Sequence, residues 1–222
     1  MPRFRNAGLV YLLALAVCLL LDFGVSGTLS FIDLAHPAVL ARVIRFEDLI
    51  AYLTSFAIVA AVPFFFFASQ RAFNRVLVIS ALLSTLGIFL NIAGLLRSLV
   101  EHQVNPVLLL FAAAIVYVSN VLVFSVWYWL LDFRSQRARS GGEDAVPPVL
   151  VFPQNAVAYP GYEAWTPGFI DYLFLSFHTS STVGPTDTLV LAKRTKIAMI
   201  CQVSFSLVML VVLAARAIGI LR

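Results

Sequence analysis

The chain has 222 residues, of which 61% are hydrophobic and 12% are charged, and its formal net charge is +4. A soluble domain is typically about 45–50% apolar and about 25% charged, so this composition excludes a water-soluble globule and indicates an all-α, multi-pass integral membrane protein. The positive charge does not indicate nucleic-acid binding, because the Lys and Arg residues lie between apolar segments, where they report orientation and contact with anionic headgroups.

Five apolar segments are each close to the ~20 residues that a helix needs to cross roughly 30 Å of hydrocarbon. All are predicted to be helical, because lipid cannot satisfy a bare backbone. The first follows Arg3 and Arg5 and could be a signal peptide, but its apolar core is long and no small-x-small site directly follows it, which favours an uncleaved helix. The predicted spans are residues 7–25, 48–68, 76–99, 106–131 and 197–221.

The longest polar segment, residues 132–167, contains Gly141-Gly142 and Pro147-Pro148. It is predicted to be an irregular loop, with a short extended piece at 149–152. No internal repeat is visible. The predicted organisation is a four-helix transmembrane region over 1–131, the loop over 132–167, and a part over 168–222 with a short re-entrant helix, a turn and the last span.

The distribution of Lys and Arg between the spans predicts the orientation of the chain. With a cytoplasmic amino terminus, ten of these residues lie inside and five outside, so the positive-inside rule favours this orientation. It also puts the turn before the last span on the cytoplasmic side. The inner set is Arg3, Arg5, Arg71, Arg75, Arg134, Arg137, Arg139, Lys193, Arg194 and Lys196; the outer set is Arg42, Arg45, Arg97, Arg216 and Arg222.

The apolar segment 169–178 is only about half a span long, which is typical of re-entrant, interfacial or buried segments. Thr166 and Pro167 form a good helix start, a hydroxyl cap followed by a proline at the first helical position. Asp171 lies in the first turn, where a carboxylate suits the positive end of the helix dipole. The Thr/Ser run at 179–182, followed by Gly184-Pro185, is predicted to end this helix.

The order of long helix, loop, short helix, Thr/Gly-rich turn and long helix over about residues 106–221 resembles the pore module of the potassium-channel superfamily. In that family four subunits each contribute a filter strand, whose backbone carbonyls replace the ion's water shell. The resemblance implies a homotetrameric pore for monovalent cations. It implies a filter-like run of Thr182, Val183, Gly184, Pro185, Thr186 and Asp187, with His178, Thr179 and Ser180 beside the pore.

Two residues depart from the family's filter pattern. Thr182, Val183 and Gly184 match its start and Asp187 its closing aspartate, but Pro185 replaces the tyrosine and Thr186 replaces a glycine. Proline fixes φ near −65° and removes an N–H. A β-branched residue is a poor substitute where glycine reaches conformations that a Cβ disfavours. The filter is therefore degenerate, and a wider, less selective pore is expected.

The carboxy-terminal half also resembles, more closely, a group of uncharacterised bacterial multi-pass membrane proteins. The shared pattern is an aromatic-rich helix end followed by an Asp, then "FPQ", "W-x-P-x-F-x-DYL" and "PTDT". This resemblance implies a bacterial inner-membrane protein and carries no activity. The matching residues are Trp127 to Trp129, Asp132, Phe152 to Gln154, Trp165 to Leu173 and Pro185 to Thr188.

Several polar residues have both a functional and a structural interpretation. His178 could titrate as a gate or be a structural histidine. Asp187 could hold a cation, cap the 188–196 segment or pair with Lys193. Asn91 and Asn120 are expected to hydrogen-bond between helices. Gln202, Ser204 and Ser206 could line a wet path or pack helices, and the two serines, two residues apart, do not share one face.

Enzyme signals in the sequence are weak, since it has no metal-ligand histidine spacing, nucleophile elbow or phosphate-binding glycine loop. No cofactor is expected. The favoured function is a channel-like membrane protein with a degenerate filter, and the alternative is a non-conducting membrane scaffold or accessory protein. One conflict is open at this point, because channel pore loops of this type open to the outside whereas the charge distribution puts the Thr182–Asp187 turn inside.

Overall fold

A computed structural model describes residues 2–30, 40–67, 70–100, 106–140, 146–157, 160–163, 165–182, 184 and 187–220. This part of the chain is almost entirely helical, as predicted. Its helices are α1 (Pro2–Ser30), α2 (Leu40–Phe67), α3 (Gln70–Val100), α4 (Pro106–Ser140), α5 (Pro153–Ala156), α6 (Phe169–Thr182) and α7 (Lys193–Ile220). Its strands are β1 (Leu150–Val151) and β2 (Leu189–Val190).

Three helices are long and apolar enough to cross a membrane, over the described residues: Arg71–Arg97 in α3, Val107–Ala138 in α4 and Lys193–Ala215 in α7. Shorter apolar stretches, Gly8–Gly24 and Tyr52–Pro63, lie in α1 and α2. The chain is therefore a helical membrane protein. Each of the five predicted spans overlaps one of these five helices.

Helix α4 lies at the centre of the bundle and runs antiparallel to α1, α3 and α7. The Tyr11 ring of α1 stacks on Trp129 with centroids 4.2 Å apart, and the Cys18 thiol donates to the Ser119 carbonyl at 3.8 Å. On α3, Trp127 Nε1 donates to Thr85 Oγ1 at 2.9 Å. Large apolar and aromatic side chains fill the contacts of α4 with its neighbours, among them Leu15, Leu77, Leu109 and Val126.

The antiparallel order brings the starts of α1, α3 and α7 and the ends of α2 and α4 to one end of the bundle, here called the basic end. Phe65 at the end of α2 meets Phe73 at the start of α3, with ring centroids 5.6 Å apart. A Cβ on Gly8 of α1 would lie 2.5 Å from Phe73 Cε1, so the close approach of α1 to α3 needs a glycine there. The residues that the charge distribution predicts to be cytoplasmic belong to this end.

Helix α4 continues to Ser140, nine residues beyond the predicted end of the fourth span at Leu131. Its 35 residues correspond to a length of about 52 Å, well over the ~30 Å of hydrocarbon. The first part of the segment predicted to be an irregular loop is therefore helical. Polar Arg, Ser and Gln side chains, which hydropathy assigns to a loop, are compatible with a helix that projects past the apolar layer.

The rest of the segment carries a small sheet at the basic end. The extended piece predicted at 149–152 contains β1, which pairs antiparallel with β2 in the register Leu150 to Val190 and Val151 to Leu189. The Leu191 N–H donates to the Val149 carbonyl at 3.0 Å. Leu150 is fully buried, so the sheet fastens the chain before α6 to the chain just before α7.

Helix α6 begins at Phe169, two residues later than the proline predicted to open it. The Gly168 N–H donates to Asp171 Oδ2 at 2.7 Å, so the acid of the first turn reaches back to cap the helix. This bond replaces the expected cap by Thr166. The 14 residues of α6 correspond to about 21 Å, which is too short to cross a bilayer.

Helix α6 also runs antiparallel to α4, starting at the basic end. The Tyr172 hydroxyl contacts Asp132, and four residues later the Ser176 hydroxyl donates to the Val121 carbonyl at 2.7 Å. The helix therefore descends along α4 away from the basic end. The chain has returned to that end by Leu189, since β2 pairs with β1 beside the start of α6, where Phe152 packs on Tyr172 at 5.5 Å.

Candidate functional site

Gln202 of α7 is the centre of a buried polar cluster that joins three helices. Its side chain is fully buried, and its Nε2 donates to Ser176 Oγ at 2.7 Å, to Ser180 Oγ at 2.7 Å and to the Ser176 carbonyl at 3.0 Å. Its Oε1 accepts a hydrogen bond from the Tyr128 hydroxyl of α4. Both ends of the amide are therefore satisfied inside the bundle, as a buried polar group requires.

The cluster continues from Gln202 along α4 and α7. Asn120 Nδ2 donates to Ser206 Oγ at 2.8 Å and lies 3.5 Å from the Gln202 carbonyl. This contact and the Asn91 to Asp22 hydrogen bond between α3 and α1 confirm the interhelical role predicted for the two asparagines. We call the whole set the polar core: Asn120, Tyr128, Ser176, Ser180, Gln202 and Ser206.

A second buried group lies at the basic end, around Asp132 of α4. Asp132 is fully buried, and its Oδ1 accepts from the Ser135 hydroxyl at 2.5 Å. Its Oδ2 accepts from Gln136 Nε2 at 2.8 Å and from the Tyr172 hydroxyl at 2.9 Å. Three donors around one carboxylate satisfy most of its lone pairs, and the Tyr172 bond ties the start of α6 to α4.

Aromatic rings pack on Tyr172, which donates to this carboxylate: the ring centroids of Tyr11 and Phe152 lie 6.3 Å and 5.5 Å from that of Tyr172. Tyr11 packs edge-on against Phe169 at 5.4 Å, and Phe152 packs edge-on against Trp165 at 5.8 Å. The aromatic cluster Trp127-Tyr128-Trp129, at the end of the predicted fourth span, is of a composition that favours the headgroup layer. In the structure Tyr128 and Trp129 are buried inside the protein. These two rings contact other helices, because α4 is central and most of its circumference faces other helices. Their depth in the membrane stays a prediction.

Of the filter-like run, the structure describes Thr182, Gly184 and Asp187, while Val183, Pro185 and Thr186 lie outside the described residues. Thr182 is the last residue of α6, and its exposed side chain shares its hydroxyl proton between the His178 carbonyl at 2.6 Å and the Gly184 carbonyl at 3.0 Å. A carbonyl that accepts this bond is partly occupied and has less capacity to coordinate an ion.

Asp187 is exposed and accepts from the Thr188 hydroxyl at 3.2 Å. It does not cap the following helix, because α7 begins only at Lys193, where the N–H groups of Thr195 and Lys196 bond to the Ala192 carbonyl. The predicted capping role of Asp187 therefore does not apply to the observed α7. Pairing of Asp187 with Lys193 stays a prediction.

The three residues predicted beside the pore have different environments. Thr179 is fully buried and donates to the Leu175 carbonyl at 2.7 Å, and Ser180 belongs to the polar core. His178 is half-buried, with its ring 4.2 Å from that of Phe174. Its Nδ1 is buried and has no hydrogen-bond partner among the described residues, so the expected hydrogen-bonded histidine is not seen at this atom.

A small polar cavity of about 20 Å³ lies between α1, α3 and α4, with Asp22, Ser84 and Asn91 among its lining residues. This is room for about one water molecule, and Ser84 Oγ is buried there without a partner among the described residues. Within the part of the chain that the structure describes, no three His, Cys, Asp or Glu side chains are grouped as a metal site would require.

Two serines of α7 offer a matched test of the polar core. Ser206 is buried and accepts from Asn120, whereas Ser204 is exposed and bonds only to the Ile200 carbonyl of its own helix. Ser206→Ala is expected to lower the free energy of unfolding by about 0.6–1.7 kcal/mol, from the average to the largest value measured for interhelical hydrogen bonds in a membrane protein. Ser204→Ala is expected to change it by less than about 0.5 kcal/mol. Equilibrium unfolding in mixed micelles measures both, and equal effects would contradict the assignment.

Sequence reasoning noticed Gln202 but not its partners, because Tyr128, Ser176 and Gln202 are far apart in the chain and only the fold brings them together. The role of Asp132 was missed for the same reason, although a lone acid beside an apolar span is a signal that could have identified it. Comparison of the chain with protein-family models, with curated proteins and with solved structures gave no match. Function is therefore inferred from the geometry of these groups.

Proposed function

We propose that the protein is a channel-like membrane protein in which α6 and the Thr182–Asp187 turn form a re-entrant loop that contributes to a weakly selective cation pore. One observation supports this most. Helix α6 is too short to cross the bilayer, and the buried amide of Gln202 holds it in contact with α4 and α7. A short helix placed between two long ones and fixed by buried hydrogen bonds is the arrangement that a pore loop requires.

In this proposal α1, α2, α3, α4 and α7 all cross the membrane, and the basic end faces the cytoplasm. The loop enters from that side, because α6 begins and β2 ends at the basic end. We place the protein in the cell membrane, as the resemblance to bacterial inner-membrane proteins implies.

One chain contributes one turn, and one turn cannot encircle an ion, so the pore is proposed to form in a homo-oligomer, with a tetramer as the expected state. The pore would not be a potassium filter of standard geometry. Thr182 is helical rather than extended, and Pro185 and Thr186 replace the residues that shape such a filter. Weak selectivity among monovalent cations follows, with the exposed carboxylate of Asp187 as an attractive charge at the mouth.

The second candidate is a non-conducting scaffold or accessory protein, in which the turn only reverses the chain. The hydrogen bond from Thr182 to the Gly184 carbonyl favours it, since it engages a carbonyl that a filter would present to the ion. Entry of the loop from the cytoplasmic side also favours it, since channel pore loops of this type open to the outside.

Flux into liposomes tests the proposal. The native protein is expected to admit monovalent cations, and replacement of residues 182–187 by alanine is expected to abolish the flux. Asp187→Asn is expected to lower the cation flux several-fold, because it removes an exposed charge at the mouth. Glu163→Gln removes an exposed charge from the loop before α6 and is expected to have no effect.

Oligomeric state, measured in mild detergent by native mass spectrometry, separates the two candidates independently of flux. A tetramer agrees with the pore. A monomer, or flux unchanged after replacement of the whole turn, would overturn the pore and leave the scaffold.

A further inference from the structure

A cleft of about 1490 Å³ opens at the basic end of the bundle. It lies between the start of α3, the end of α4, the chain leading into β1 and the start of α7. Five arginines from three helices line it: Arg71, Arg75, Arg134, Arg137 and Arg194. All five side chains are exposed, so their charged groups are accessible to a ligand.

No acidic side chain of the described residues lines this cleft. The nearest described acid along α4, Asp132, points into the protein, where its three donors hold it. Glu143 and Asp144 lie outside the described residues, and even if both faced the cleft they would leave three of its five positive charges unbalanced. A concave surface with this excess of one sign strongly attracts anions.

The remaining lining of the cleft is largely apolar. Val78 and Ile79 extend it along α3 into the segment that is apolar enough to cross a membrane, and Pro147, Pro148 and Leu191 form its opposite side. Ile79 is exposed, so this part of the cleft is open toward the lipid. Arginines at the end of the bundle and apolar side chains below them match a molecule with an anionic head and a hydrocarbon tail.

We infer that this cleft binds the phosphate headgroup of an anionic phospholipid, with an acyl chain along α3. Arginine suits this role because its planar fork of donors binds phosphate oxygens in pairs. Basic pockets between membrane helices on the cytoplasmic side are a general means of holding such headgroups. The inference does not depend on the pore, since the arginines belong to another part of the bundle than the Thr182–Asp187 turn.

Native mass spectrometry of the whole protein with added lipid tests the inference, with phosphatidylglycerol, cardiolipin and phosphatidylcholine as probes. The native protein is expected to retain the two anionic lipids in preference to phosphatidylcholine. Arg134→Gln combined with Arg194→Gln is expected to weaken their binding on the order of 10- to 30-fold, since each arginine lost from the cleft removes hydrogen bonds to the phosphate that contribute a factor of about five. Arg-to-Lys changes at the same positions keep the charge and are expected to weaken the binding of anionic lipid by a smaller factor.

The matched control removes the same charge from the same end of α7 without touching the cleft. Lys193 and Lys196 are exposed and do not line it, so Lys193→Gln combined with Lys196→Gln is expected to leave the preference for anionic lipid intact. An equal loss in both double variants would overturn the inference, because it would show only general attraction to the surface. Binding of inorganic pyrophosphate without any preference among the lipids would overturn it too, by assigning the arginines to a soluble phosphate compound.

Discussion

Gln202→Leu is expected to lower the free energy of unfolding by about 2–3 kcal/mol. Leucine has a similar volume, so the cost comes mainly from the partners that lose the amide: the hydroxyls of Tyr128 and Ser180 and the carbonyl of Ser176. A buried polar group left unsatisfied costs about 1–3 kcal/mol, and in a bilayer water is not available to replace the lost bond. Equilibrium unfolding in mixed micelles measures the change.

The neighbouring residue provides the control for this variant. Cys201 is exposed and precedes Gln202 on α7, so Cys201→Ala is expected to change stability by less than about 0.5 kcal/mol. Hydrogen exchange of α6 gives a second readout, since loss of the amide is expected to speed exchange at Ser176 to Thr182 more than in α4. A Gln202→Leu protein with native stability and native exchange would show that the amide does not hold α6, and would return Gln202 to the role of lining a wet path.

Asp132→Ala is expected to lower the free energy of unfolding by about 3 kcal/mol and to release the start of α6. The change removes three hydrogen bonds to a buried carboxylate and leaves the donors of Ser135, Gln136 and Tyr172 in an aromatic environment. Hydrogen bonds to charged groups contribute about 1.5–3 kcal/mol each, part of which is offset because the buried charge itself is costly. Trp165, which packs on Phe152 beside Tyr172, reports the release through its fluorescence.

Two further variants identify the cause of this loss. Tyr172→Phe removes only the hydrogen bond from α6 to Asp132, so it is expected to lower the free energy of unfolding by about 1 kcal/mol while leaving the local Ser135 and Gln136 bonds in place. Glu163→Gln removes an acid from an exposed position and is expected to have no effect on stability. If Asp132→Ala lowered the free energy of unfolding no more than Glu163→Gln does, the Asp132 carboxylate would not stabilise the contact between α6 and α4.

Hydropathy was sufficient to predict the long helices, because an apolar segment of about 20 residues in a membrane protein satisfies its backbone as a helix. The short helix was also predictable, since 169–178 is apolar but too short to span, and Asp171 marks its first turn. Helical geometry alone predicts that Ser204 and Ser206, two residues apart, lie on different faces of α7. In the structure Ser204 is exposed and Ser206 is buried.

Features that depend on packing were not predictable from one sequence. The end of α4 was placed nine residues early, because hydropathy detects the edge of the apolar layer and not the end of a helix that projects beyond it. The burial of Tyr128 and Trp129 against other helices was not predictable, because aromatic side chains suit both the headgroup layer of a membrane and a protein core. The arginine-lined cleft was not predictable, since Arg75, Arg134 and Arg194 follow one another at intervals of about sixty residues and only the fold brings them together.

The position of Gln202 also has a consequence for the order in which the helices assemble during synthesis. Ser176 and Ser180 leave the ribosome before Gln202 does, and α6 is too short to enter the membrane as a spanning helix. Until α7 is synthesised, the two serines lack the amide that satisfies them, and burial in lipid would be unfavourable. We therefore expect α6 to contact α4 first through Tyr172 and Ser176, and to bury Ser180 only after α7 has been made. A chain interrupted between Thr182 and Gln202 would lack the hydrogen bonds that join α6 to α7.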